Sequence, residues 1–112
     1  MINHASSVEC VNLFEDHPKL IVIHPVMKYF YPGDTVNCSA DGYPNPDYKW
    51  ISLVDRASKV HNGPILAITK EMVRDTEYVY ECSASNSKDD NWIRKNITFT
   101  VKGKLMFPAL LL

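Results

Sequence analysis

The sequence predicts an all-β chain folded as a sandwich of two packed sheets, and three observations carry that expectation. First, six Tyr, four Phe and two Trp are linked by short runs of Val, Ile and Thr, residues that suit a pleated, half-buried surface. Second, seven Pro and clusters of Gly, Asn and Asp punctuate those runs at intervals of about 8 to 12 residues, the spacing of seven or eight short strands in a sandwich. Third, two stretches alternate between inward and outward positions. Val36, Cys38 and Ala40 alternate with Thr35, Asn37 and Ser39, while Tyr78, Tyr80, Cys82 and Ala84 alternate with Val79, Glu81, Ser83 and Ser85. A period of two places each set on one face of a strand.

The elements follow in order. Residues 20–23 read as a strand that Pro25 interrupts before residues 26–31 resume, so an edge strand passing from one sheet to the other is expected. Pro32-Gly33-Asp34 is a turn into the first alternating strand. Residues 42–46 form a stiff loop, because Pro44 and Pro46 fix φ and disfavour helix for the residues before them. The next strand puts Tyr48 and Trp50 on one face and Lys49 and Ile51 on the other. Residues 55–61 have no clear period and read as a short edge strand or an irregular crossing. Asn62-Gly63-Pro64 turns the chain into a strand opened by Leu66 and Ile68, and the polar stretch 69–77 has room for a single helical turn. The second alternating strand is expected to be central. A polar hairpin loop follows at 86–91, and a last strand at 93–101 turns Ile97, Phe99 and Val101 inward against Asn96, Thr98 and Thr100.

With 112 residues the chain has room for one core, and 46% hydrophobic with 22% charged residues lies in the globular range. A formal net charge of −1 gives no long-range attraction to nucleic acid or to an anionic membrane. Residues 1–16 lack a basic start followed by an apolar core, so no secretory signal is predicted there and a longer precursor is expected. The apolar end, residues 105–112, is far shorter than the roughly 20 residues of a membrane helix, and reads as a frayed end or the clipped edge of an anchor.

Cys10, Cys38 and Cys82 are an odd count from which only one intrachain pair can form. Cys38 and Cys82 both lie on inward faces of predicted strands, with Trp50 on the strand between. A disulfide joining them would cross the core and close a loop of about 45 residues, a constraint worth about 4 kcal/mol in the chain-entropy model.

The stretch from Cys38 to Trp50, Cys-Ser-Ala-Asp-Gly-Tyr-Pro-Asn-Pro-Asp-Tyr-Lys-Trp, resembles the C-x-A-x-G-x-P-x-P-x-x-x-W pattern of the immunoglobulin superfamily, within it the I-set type of adhesion molecules and receptors. Leu66-Ala67-Ile68 is similar to the family's L-x-I, and Tyr80-Glu81-Cys82-Ser83-Ala84-Ser85-Asn86 to its Y-x-C-x-A-x-N. The resemblance covers residues 19–102 and implies an immunoglobulin-like Greek-key sandwich of the I-set type there. Residues 1–18 would then be a linker or the remnant of a preceding segment, and residues 103–112 an apolar tail. It implies a Cys38–Cys82 disulfide of structural purpose, a core built around Trp50, Leu66, Ile68 and Tyr80, and a tyrosine corner made by the Tyr80 hydroxyl. Cys10 is left over as a free thiol or an intermolecular partner.

Two departures stand out. Thr76 and Tyr78 occupy positions where the family carries Asp and a small residue, which puts its buried Asp to Arg pair in question. Asp89 stands where a Gly is usual, so the hairpin at 86–91 is not expected to be the tight standard turn. The interval between Trp50 and Leu66 is too short for the additional strand of variable-type domains.

The resemblance implies an extracellular or cell-surface binding module acting on a protein partner, homophilic or heterophilic, beside neighbouring domains of the same kind, with a membrane link only through an anchor outside the sequence. No cofactor, metal or nucleic acid is expected. His4, His17, His24 and His61 are scattered without ligand spacing, and no nucleophile is placed beside a base, so no catalysis is expected. The alternatives are an intracellular structural domain of the giant-muscle-protein kind, disfavoured because disulfides seldom persist in reducing surroundings, and a soluble truncated decoy. Asn96-Ile97-Thr98 and Asn37-Cys38-Ser39 fit the N-glycosylation pattern, on outward faces in both cases. Candidate partner-binding residues are Trp92 beside the polar hairpin, Tyr43 and Asn45 in the proline loop, and Tyr29 in the aromatic cluster 29–31. Trp92 has two placements open to it, an exposed interface anchor or a ring folded back over the sandwich edge.

Overall fold

The computed structural model describes residues 16–55, 60–87 and 91–103. Strands β1 (Ile21–His24), β3 (Thr35–Ala40) and β6 (Ile65–Ala67) form one antiparallel sheet in the order β1-β3-β6. The second sheet holds β2 (Tyr29–Phe30), β4 (Asp47–Ser52), β5 (His61–Asn62), β7 (Tyr78–Ser85) and β8 (Ile93–Val101), in the order β2-β8-β7-β4-β5. The chain therefore crosses between layers after β1, β2, β3, β5 and β6, as the connections of a Greek-key sandwich do.

The crossing after β1 has a sequence cause. Pro25 has no N–H to continue the ladder, so β1 stops at His24 and the chain resumes as β2 in the other sheet, parallel to β8 at Tyr29–Thr100 and Phe30–Val101. The polar stretch before β7 holds one 3-10 turn, Lys70–Met72. β7 is flanked by β4 and β8 along its length, as its regular alternation predicts.

Between the sheets lie Ile21, Ile23, Val36, Cys38 and Leu66 from one layer and Phe30, Trp50, Tyr78, Tyr80, Cys82, Ile97, Phe99 and Val101 from the other, all buried, together with Ile68 just past β6. Phe30 meets Phe99 edge-on at 5.1 Å between ring centroids, Tyr80 stacks on Phe99 at 5.7 Å, and Trp50 meets Tyr80 edge-on at 6.5 Å. Offset and edge-to-face pairs of this kind add about 0.5–1.5 kcal/mol each beyond their burial. Cys38 on β3 and Cys82 on β7 are joined by a disulfide that ties the three-stranded layer to the five-stranded one. The Trp50 indole N–H donates to the Pro64 carbonyl at 3.0 Å, so the largest core side chain keeps its one polar atom paired.

Two expectations are corrected. The hydroxyl bond assigned to Tyr80 is made instead by Tyr78, which donates to the Met72 carbonyl at 2.8 Å. With Tyr78 in place of a small residue, its phenol reaches the helical turn before β7. The Arg74 guanidinium lies 3.7 Å over the same ring and pairs with Asp55 at 3.2 Å, so the Asp to Arg pair exists with Asp55 as the acid, partly exposed rather than buried. Burial pushes the phenols of both Tyr78 and Tyr80 above their ordinary value. The second correction concerns the polar face of β7 and β8. Ser83, Ser85 and Thr100 alternate outward, yet Ser83 and Ser85 are each only 2% exposed and Thr100 is also buried. Lys49 and Arg94 flank Ser83 across the sheet, Asp47 faces Ser85, and Tyr29 flanks Thr100.

Candidate functional site

Three segments distant in sequence converge at one end of the five-stranded sheet. The proline loop leads into β4, the β5–β6 turn lies beside it, and the start of β8 brings Trp92 alongside. Together Pro46, Asp47, Tyr48, Asn62, Gly63, Pro64 and Trp92 line an open concavity of 390 Å³.

Local chemistry fixes each wall. Gly63 takes φ +114°, a left-handed conformation that a side chain would strain, and its N–H donates to the Tyr48 carbonyl at 2.9 Å. Pro64 is held from below by the Trp50 indole. The Tyr48 hydroxyl accepts the Ala40 N–H at 2.9 Å, which pins the start of β4 to the end of β3 in the opposite layer. Trp92 is half-buried, and the Lys49 ammonium lies 4.2 Å over its ring. A cation at that distance is attracted by the ring quadrupole, worth about 0.5–1 kcal/mol where water has access. The indole is thus folded back against the sheet, the second of the two placements open to it, while its edge still lines the concavity. The arrangement offers an aromatic wall, two proline rings, a carboxylate at Asp47 and a carboxamide at Asn62. The surface is open to solvent and sets polar and apolar groups side by side.

The remaining candidates fall in different places. Tyr43 and Asn45 are exposed on the proline loop, Tyr43 at 62%, at the same end of the sandwich as Trp92. Tyr29 lies beside Thr100 at the far end of β8, about 26 Å from Trp92 at the usual strand rise, with the ammonium groups of Lys28 and Lys102 at 5.6 and 5.2 Å from its ring. It does not join the concavity. Asn37 is exposed on β3 and Asn96 exposed on β8, on the outer faces of the two different sheets. Trp50, Tyr80, Leu66 and Ile68 are core residues, and Cys38 is bonded to Cys82. Cys10, Asp89 and the apolar tail lie outside the described residues.

Sequence reasoning missed Lys49, Asn62 and Pro64 as parts of this surface, while Pro46 belongs to the proline loop it did point to. The two prolines were legible as turn residues, but nothing in linear order brings residues 62–64 beside residue 92; the pairing of β4 with both β5 and β7 does that. Among the described residues no group of three or more His, Cys, Asp or Glu side chains is placed to hold a metal ion, and no helix is long and apolar enough to cross a membrane.

The fold defines the class: an all-β protein of two packed sheets with a disulfide between strands of opposite layers, compatible with an immunoglobulin-like fold. No protein-family model matches the chain, and no curated protein matches it.

Proposed function

We propose that the chain is an extracellular immunoglobulin-like domain of the I-set type that binds a protein partner in cell adhesion or cell-surface receptor signalling. The observation that carries this reading is the Cys38–Cys82 bond across the core beside buried Trp50. A buried disulfide between layers is typical of proteins that fold in oxidising compartments. The matching sequence pattern from Cys38 to Trp50 supports the family, and the open surface around Trp92 and the proline loop supports recognition rather than catalysis. The partner is a second cell-surface protein, of the same or a different kind, and further domains of the same architecture would flank this one in a stacked ectodomain.

Two measurements test the proposal. The chain isolated from its native compartment has an intact mass that rises by the two hydrogens of one disulfide on reduction; a chain already fully reduced supports the intracellular structural alternative and removes the extracellular reading. In a binding screen against cell-surface ectodomains, Trp92→Ala loses the partner that the native domain retains. An unchanged profile removes the Trp92 surface from the proposal.

A further inference from the structure

Two glycosylation sequons lie on strands, and the structure surrounds them differently. In each, the two-residue period sets the Asn and the hydroxyl residue on the same outward face: Asn37 with Ser39, and Asn96 with Thr98, all four exposed. Asn37 lies on the middle strand of its sheet, with His24 of β1 on one side and Ile65 of β6 on the other. Asn96 has a paired strand on one side only, where it faces Glu81 of β7. β2 pairs with β8 only at Thr100 and Val101, so among the described residues no backbone ladder continues beside Asn96, and the Lys95 ammonium, which donates to the Ile21 carbonyl of β1 at 3.3 Å, is the nearest tie on that flank. The central residues differ as well. Cys38 must find Cys82, whereas Ile97 has only to be buried.

The geometry points to Asn96 as the attachment site of an N-linked oligosaccharide on the outer face of the five-stranded sheet, with Asn37 left bare. This rests on the extracellular reading, because the donor belongs to the secretory pathway. The donor class is an oligosaccharide linked to a lipid through pyrophosphate. The Asn96 carboxamide nitrogen forms the new bond to the anomeric carbon, the bond from that carbon to the pyrophosphate oxygen breaks, and the lipid pyrophosphate leaves with its electron pair. The amide proton passes to a base of the transferase. The resulting glycan stands beside Glu81, one strand from Ile51, and screens the middle of that sheet. Trp92 lies four residues back along β8, about 13 Å away, so the end of the sandwich that carries the concavity stays open. Recognition is thereby confined to the loop end rather than the flat face.

The test is the full chain, given a cleavable leader and secreted from mammalian cells, with intact mass read before and after treatment with a glycan-removing amidase. The native chain carries the mass of one N-glycan, the amidase removes it, and the treated peptide holds Asp at position 96. Asn96→Gln and Thr98→Val lose the glycan, whereas Thr98→Ser and Asn37→Gln keep it. A bare native chain, or a glycan that survives Asn96→Gln and vanishes in Asn37→Gln, overturns the proposal. A secreted, disulfide-bonded chain without sugar overturns it and leaves the extracellular reading intact; a chain retained in reduced form overturns both.

Discussion

Tyr78 and Tyr80 occupy successive inward positions of β7, and their phenols have different tasks. Tyr80 contributes a ring, stacked on Phe99 and edge-on to Trp50. Tyr78 contributes a ring and a bond, since its hydroxyl ties β7 to the Met72 carbonyl of the preceding turn. Arg74 packs on that ring and donates to Asp55 and to the Glu77 carbonyl, so one aromatic face organises the turn before β7. The partly exposed Arg74–Asp55 pair adds little by itself, because water screens it. The hydroxyl bond matters more. Tyr78→Phe should destabilise the domain by about 1 kcal/mol, the usual net worth of an intramolecular hydrogen bond, while Tyr80→Phe, which keeps the stacked ring, should cost less. Urea unfolding of both variants measures this, and an equal or reversed order would return the corner to Tyr80. The family pattern pointed to Tyr80 because it looks for a Tyr two residues before the second Cys. Which of two inward tyrosines reaches the turn depends on a contact made in three dimensions.

Residues 16–20 form an element without being a strand, and their fixation is local. Asp16 exchanges two backbone hydrogen bonds with Tyr43, both at 2.8 Å, and the Asn86 carboxamide donates to the Asp16 carbonyl at 2.7 Å and to that of Pro44 at 3.1 Å. Gly42 permits this approach. It takes φ +118°, and a methyl group there would stand 2.8 Å from the Asp16 carbonyl oxygen. Asp41 completes the clasp by accepting the Leu20 and Lys19 N–H groups at 2.9 and 2.8 Å. Those bonds, from Leu20 first and then Lys19, hold its carboxyl below the ordinary value of 3.8. A carboxyl depressed on folding contributes stability above its unfolded pKa and loses it as pH falls through the lower folded pKa. The native domain should therefore lose urea resistance more steeply below about pH 3.8 than Asp41→Asn, whose amide does not titrate; parallel curves would remove Asp41 from the clasp. Gly42 and Asn86 were legible as pattern residues but the clasp was not, because the Asn86 carboxamide and the Asp41 carboxylate reach backbone atoms of residues 16, 19, 20 and 44, which carry no side-chain pattern. β3 and β7 were legible for the converse reason. One face of each is buried, so the alternation is written into residue type, and even there the burial of Ser83 and Ser85 escaped it. β5, two residues long, is too short to hold a period.

At the scale of the molecule, two sheets of unequal size enclose one core, and a single covalent bond joins them. The Cys38–Cys82 bridge spans a sequence separation of 44, linking the middle strand of the small sheet to the central strand of the large one. Loop-closure entropy for a loop of that length is worth about 4 kcal/mol, set against the roughly 5–15 kcal/mol that holds a typical domain folded. Removing the bond takes away a large fraction of stability without removing much of the core, because Trp50, Phe30, Phe99, Val36 and Leu66 stay buried around it. The Cys38→Ala/Cys82→Ala double variant should keep its fold at low denaturant, with stability lower by about 4 kcal/mol. Its unfolding should also depend more steeply on urea, since an unfolded chain freed of its cross-link exposes more surface. The two signatures are independent. A lower midpoint with an unchanged slope points to lost packing around the sulfurs rather than a loosened unfolded state. An unchanged midpoint means that the bond contributes no stability, and the covalent tie between layers then loses its place as the main constraint on so small a framework.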